Sequence, residues 1–150
     1  MTSDATRTSL TDSAARLRLA IVRTARRLRQ EAAGPGADLT PTGVSALATV
    51  ERHGPLTPSE LAEIERVKRP TATRTLSVLD EAGLVERASD PADGRSSLVS
   101  INAAGRERLR RLRGRKNAYL ARRMRELPDA DVETLERAAA ILEEILEERR

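Results

Sequence analysis

Arg69, Thr71, Thr73, Arg74 and Ser77 stand together in the run RPTATRTLS, and Arg95 stands in SDPADGRSS. A guanidinium is a planar fork of N–H donors, which fits two phosphate oxygens or the O6 and N7 acceptors of guanine. Short hydroxyls suit phosphates and base edges. The chemistry these residues offer is recognition of a polyanion rather than turnover. The chain has no Cys and one His, His53. Disulfides, thiolate catalysis and Cys-ligated zinc are therefore excluded, and a His-based metal site or a Ser-His hydrolase is disfavoured. No paired acids and no Gly-rich phosphate loop are recognisable, and GPG at 34–36 reads as a helix break. Neither an enzyme nor a cofactor or metal site is expected.

Those donors need rigid elements to hold them. Thr57, Pro58 and Glu60 form a T-x-x-E capping box with Pro at the first helical position. Leu61, Ala62 and Ile64 give that short helix a buried face. A break of about four residues follows, with Val67 its apolar member, and Pro70 opens the next helix. There Ala72, Leu76 and Leu79 share one face, while Pro70, Thr73, Arg74 and Ser77 point the other way. Gly83 suits the stop. Two short helices around a tight break, the second with a polar outer face, make the helix-turn-helix pattern. Any two-helix hairpin shows similar spacing.

Leu84-Val85 and Leu98–Ile101 read as two strands around the polar SDPADGR loop, which is too charged to pack and must project. The resulting winged helix places Arg95 at the wing tip and Arg87 at its base, within reach of a phosphate. Arg95 has two open roles: it can sit in a narrow minor groove, or pair with Asp90 or Asp93 to brace the loop.

Upstream, Leu10, Ala14, Leu17, Ile21, Thr24 and Leu28 step by four and three along one helix, which AAGPGAD ends. Thr40 caps a second helix with Pro41 at its first turn, and Val44, Leu47, Ala48 and Val50 face inward. Downstream, Leu109, Leu112, Tyr119, Leu120 and Met124 line an Arg-rich helix. A last, acidic helix starts at Pro128 or Asp129 and carries Val132, Leu135, Ala138, Leu142 and Ile145. A unit of 150 residues hardly needs apolar seams at both ends for its own core. Leu17, Ile21, Leu28, Leu135, Leu142 and Ile145 are therefore expected in a homodimer interface.

The expected fold is mostly α with a small β-hairpin wing. Residues 1–12 form a flexible N-terminus and 13–150 a single unit, with dimerisation helices at 13–33 and 104–150 and a winged region at 40–102. Net charge is +4 and the pI about 10.5, but residues 55–101 hold six Lys/Arg against eight Asp/Glu, a net of −2. Overall basicity is therefore weak support for a nucleic-acid partner. The N-terminus has no apolar signal-peptide core and no run is long enough to span a membrane, so a cytoplasmic location is expected.

With these elements in place, the sequence resembles the MarR family of bacterial transcription regulators over roughly residues 13–148. The resemblance is most specific in RPTATRTLSVLDEAGLVERASDPADGRSSLVSINAAGRERL, with its Pro-opened helix, its GLV exit into the wing, the DGR tip and the V-x-I strand. It implies a homodimer that binds double-stranded DNA at a pseudo-palindromic operator. The expected role is repression relieved by an unidentified small, often phenolic or anionic, effector. It also implies a structural role for at least one of Asp90 and Asp93. The chain departs from the family pattern at Ala92 and Gly94, where many relatives are basic, so wing affinity rests more heavily on Arg95. The sequence marks no clear effector pocket; Tyr119 and His53 are the rings available for stacking, and first-helix Arg residues are available for an anion. The alternative is a helical dimer whose winged helix binds protein instead of DNA.

Overall fold

The computed structural model describes residues 2–34 and 39–147, with side chains from Ser9 onward. Among the described residues eight elements follow in order: α1 (Thr2–Ala32), α2 (Pro41–His53), α3 (Pro58–Glu65), α4 (Arg69–Glu81), β1 (Val85–Ser89), β2 (Ser97–Ile101), α5 (Ala103–Met124) and α6 (Asp129–Leu146). Residues 2–12, expected as a flexible N-terminus, are helical and continuous with α1. Before Leu10 their Ser, Thr and Asp content carries no apolar period to read, but extending an existing helix avoids the cost of nucleating a new one. The PGAD part of the helix break, 35–38, lies outside the described residues.

Capping sets the boundaries of the winged region. The Gly43 N–H donates to Thr40 Oγ1 at 3.1 Å, with Pro41 in the first turn of α2. At α3 both halves of the capping box form: Glu60 N–H donates to Thr57 Oγ1 and Thr57 N–H to the Glu60 carboxylate. The α3–α4 turn is only three residues. Arg66 adopts the left-handed conformation (φ 52, ψ 43), and the Val67 N–H closes back on the Ala62 carbonyl at 3.0 Å. α4 ends at Gly83 (φ 69), where Gly83 N–H meets the Asp80 carbonyl and Leu84 N–H the Leu79 carbonyl. A positive φ is nearly free of cost for Gly and unfavourable for most other residues.

β1 and β2 pair antiparallel with Val85 opposite Ile101, Arg87 opposite Val99 and Ser89 opposite Ser97. These six share one face, and its buried members Val85, Val99 and Ile101 join the core. Leu56 adds a bridge to Val99 through bonds of 2.8 and 3.1 Å, a link the sequence reading missed. Asn102 joins the wing to its surroundings: its amide donates to the Gly83 carbonyl, and its oxygen caps α5 by accepting from Gly105 N–H. Gly105 is required there, since a Cβ would lie 2.2 Å from the Leu84 carbonyl oxygen.

The main core comprises Ala46, Leu47, Val50, Leu56, Leu61, Ala62, Ala72, Leu76, Leu79, Leu84, Val85, Val99, Ile101 and Leu109. It lies almost wholly within the winged region and is built without an aromatic ring. Val44 and Ala48, expected inward, pack only at its margin, and Ala46 takes a buried place. Ile64, expected buried, is 44% exposed. Glu65 faces α2 instead, bonding Ser45 and Thr49, and this turns Ile64 outward. α5 lies along α1, where the Arg115 guanidinium donates to the Ala32 carbonyl at the end of α1. No residue of α6 is buried. Among the described residues, no helix is long and apolar enough to cross a membrane.

Candidate nucleic-acid interface

The buried stripe Ala72–Leu76–Leu79 fixes the rotation of α4. That rotation leaves Arg69, Thr71, Thr73 and Arg74 exposed and Ser77 half-buried on the opposite side. The Arg69 and Arg74 guanidiniums make no hydrogen bond, ion pair or ring contact among the described residues. Two of the hydroxyls are already used locally: Thr73 Oγ1 donates to the Arg69 carbonyl at 3.0 Å and Ser77 Oγ to the Thr73 carbonyl at 3.1 Å. In this state they present acceptor lone pairs outward, and donating to a phosphate requires their rotation. Lys68 is exposed at the N-cap position of α4 without a side-chain cap bond. The sequence reading passed over it, although its place just before a Pro-opened helix is where a cation meets the helix N-terminal anion site.

The wing tip is ordered by its acids. Asp90 Oδ1 accepts from Ala92 N–H at 2.9 Å and Asp93 Oδ1 accepts from Arg95 N–H at 3.0 Å. Backbone bonds from Asp90 to Ser96 and from Ser96 to Asp93 close the loop. Both carboxylates bind loop backbone rather than the Arg95 guanidinium, which is exposed and makes no bond among the described residues.

Arg87 is placed differently from the other cations. Its Nε donates to Asp80 Oδ2 at 2.8 Å and its Nη1 to Ser97 Oγ at 3.4 Å. It spans α4, β1 and β2. The sequence reading set Arg87 within reach of a phosphate; its pairing with Asp80 was not legible, because a pair seven residues apart across a turn leaves no periodic trace.

Of the arginines that follow the wing, Arg110 is held by Glu107 through two bonds of 2.7 and 2.8 Å, and Arg111 bonds the same carboxylate. The hydrogen bonds from Arg110 and Arg111 lower the Glu107 pKa to about 2. Glu60 is also lowered, by the backbone and then the side-chain hydrogen bond of Thr57. Arg113 pairs with Glu51 at 2.6 Å.

Between α1, α2 and α5 lies a cavity of about 570 Å³, which the sequence did not mark. Arg26, Arg29, Arg108 and Lys116 surround Leu39, Val44 and Leu112. No aromatic ring and no carboxylate lines it among the described residues. Tyr119 is elsewhere, accepting from Arg27 Nε at 3.3 Å with Arg27 and Arg122 near its ring, and His53 is exposed at the end of α2.

A capped helix-turn-helix with a braced hairpin and outward cations defines a winged helix-turn-helix protein. Residues 37–96 match the MarR family. The chain is 35% identical over 132 residues to an HTH-type transcriptional regulator of Mycobacterium tuberculosis, covering 88% of this chain and 91% of that relative. It superposes on a putative transcriptional regulator from Pseudomonas aeruginosa with a TM-score of 0.83 and 29% identity, over 94% of this chain and 98% of that one. An S. aureus MepR mutant bound to an oligodeoxyribonucleotide shares the fold, with a TM-score of 0.67 and 16% identity over 90% and 98% of the two chains. The protein belongs to the MarR family of transcription regulators.

Proposed function

We propose that the protein is a ligand-responsive repressor that binds a pseudo-palindromic operator as a homodimer. The observation that carries the reading is the set of guanidiniums on α4 and at the wing tip, Arg69, Arg74 and Arg95, that have no partner among the described residues, beside wing acids that bind loop backbone. α4 enters the major groove. Arg74 reads guanine, while Thr71, Thr73 and Ser77 contact base edges or phosphate, and Arg69 holds a phosphate at the helix start. Arg95 reaches the neighbouring minor groove. A MepR mutant of the same fold bound to an oligodeoxyribonucleotide supports the DNA-binding reading at the level of the fold.

The dimer is supported by the exposed apolar faces at the chain ends. Leu17, Ile21, Leu135 and Ile145 are exposed, and Leu28 and Leu142 are half-buried. A helix of 18 residues with no buried side chain has little intrinsic stability in water, so its seam needs a partner. A second copy would set two recognition helices about 34–36 Å apart, one turn of DNA. The cavity lies between the terminal helices and the winged region. Its cations suit an anionic effector, whose binding shifts the population away from the DNA-competent spacing. Fluorescence anisotropy of duplex binding across a salt series tests the reading: affinity should fall steeply with salt and show a preference among sequences. Binding to no duplex would leave the winged helix as a protein-binding module.

A further inference from the structure

We infer that Asp80 withholds Arg87 from the DNA backbone, making Arg87 a positioning residue that fixes the wing against the recognition helix. The inference rests on the DNA-binding reading above. Arg87 lies on the hairpin face shared with Val85, Val99 and Ile101, the face that joins the core, and its strand packs against α4. Its guanidinium meets Asp80 Oδ2 at 2.8 Å and Ser97 Oγ at 3.4 Å, so one side chain ties α4 to both wing strands. The two side chains are 30% and 44% exposed. Exposed ion pairs add little to stability, so holding the fold together is a poor account of this one.

Asp80 continues the line Thr73–Ser77–Asp80 along α4, at helical spacing from the polar face proposed for DNA. A bare carboxylate there would repel phosphate. A bare guanidinium at Arg87 would attract any phosphate, whatever the sequence. Paired, the two charges cancel, and the angle between α4 and the wing is set. Arg69, Arg74 and Arg95 have no such partner among the described residues. The wing's electrostatic contact therefore falls to Arg95, and sequence-independent attraction at the wing base is suppressed.

The test uses the full chain, a random-sequence duplex and the duplex most enriched from a genomic-fragment selection. Affinity is measured across a salt series for wild type, Arg87→Gln, Asp80→Asn and the double variant. Asp80→Asn is isosteric and Arg87→Gln keeps a shorter polar chain without the charge, and circular dichroism melts check that every variant folds. Each phosphate neutralised steepens the log–log salt slope by about 0.9, so two wings in a dimer contribute about 1.8. Arg87→Gln loses no phosphate contact and should keep the wild-type slope on both duplexes, while the bared Asp80 carboxylate and the unfixed wing weaken binding, most of all to the enriched one. Asp80→Asn should steepen the slope by about 1.8 and tighten binding to the random duplex. The double variant should return to the wild-type slope, because the freed cation is gone.

Two results overturn the inference. One is an Arg87→Gln slope shallower by about 1.8, which makes Arg87 a phosphate contact already in the wild type. The other is a double variant as tight on random DNA as Asp80→Asn, which assigns the effect to carboxylate repulsion alone. A wild type that binds neither duplex defeats the DNA-binding reading itself, and this inference with it.

Discussion

Arg95 and Arg74 differ in what surrounds them, and so in what their loss should do. Arg95 projects from a loop whose two carboxylates bind backbone N–H groups. Arg95→Ala should weaken binding to all duplexes by similar factors and make the salt slope shallower, as filter-binding titrations would read. Loss confined to one sequence would instead make Arg95 a base reader. Glu107 gives a residue-scale pH effect. Its folded-state pKa is lowered from 4.5 to about 2 by Arg110 and then Arg111. Its stabilising contribution is therefore complete above pH 4.5 and is lost as pH falls through about 2. Melting wild type beside Glu107→Gln should show a difference that shrinks across that window; a gap constant with pH would contradict the assignment. Arg74 and Arg95 were legible as outward cations because helix period and loop polarity both expose them. The Arg87–Asp80 pair was not, because it depends on how the hairpin folds back over α4.

At the scale of elements, α2, α3, α4 and the wing were legible because each boundary carries local chemistry: Thr40 with Pro41, Thr57 with Glu60, and Gly83 after α4. Thr40→Ala removes an acceptor for the Gly43 N–H and should cost about 1 kcal/mol in urea unfolding. Leu76 is fully buried beneath α4, so Leu76→Ala should cost about 2–5 kcal/mol and weaken DNA binding by loosening the recognition helix. Unchanged stability would mean that the stripe does not set the rotation of α4. The three-residue turn was less legible. Arg66 holds a left-handed conformation usually given to Gly or Asn, so nothing in its residue type announced the tight break. Ile64 misled for a similar reason, since the α3 face was set by Glu65 reaching α2.

For the whole molecule, the chain ends carry apolar seams that the winged core does not cover. Leu135 is 45% exposed and Ile145 is 68% exposed. The double variant Leu135→Glu/Ile145→Glu should sediment as a monomer where wild type sediments as a dimer, and should lose cooperative binding to a two-half-site duplex. A monomeric wild type would overturn the homodimer. Periodicity made the seams visible, whereas the cavity between α1, α2 and α5 was not. Its cations come from elements far apart in sequence, and its aliphatic lining has no residue type that stands out. The most direct test of the central claim is a genomic-fragment binding selection with wild type beside Arg74→Ala. Wild type should enrich a pseudo-palindrome, and Arg74→Ala should lose preference at one position per half-site, worth about 1–3 kcal/mol, while keeping salt-sensitive binding. Enrichment of no sequence by the wild type, or an unchanged motif for Arg74→Ala, would contradict it.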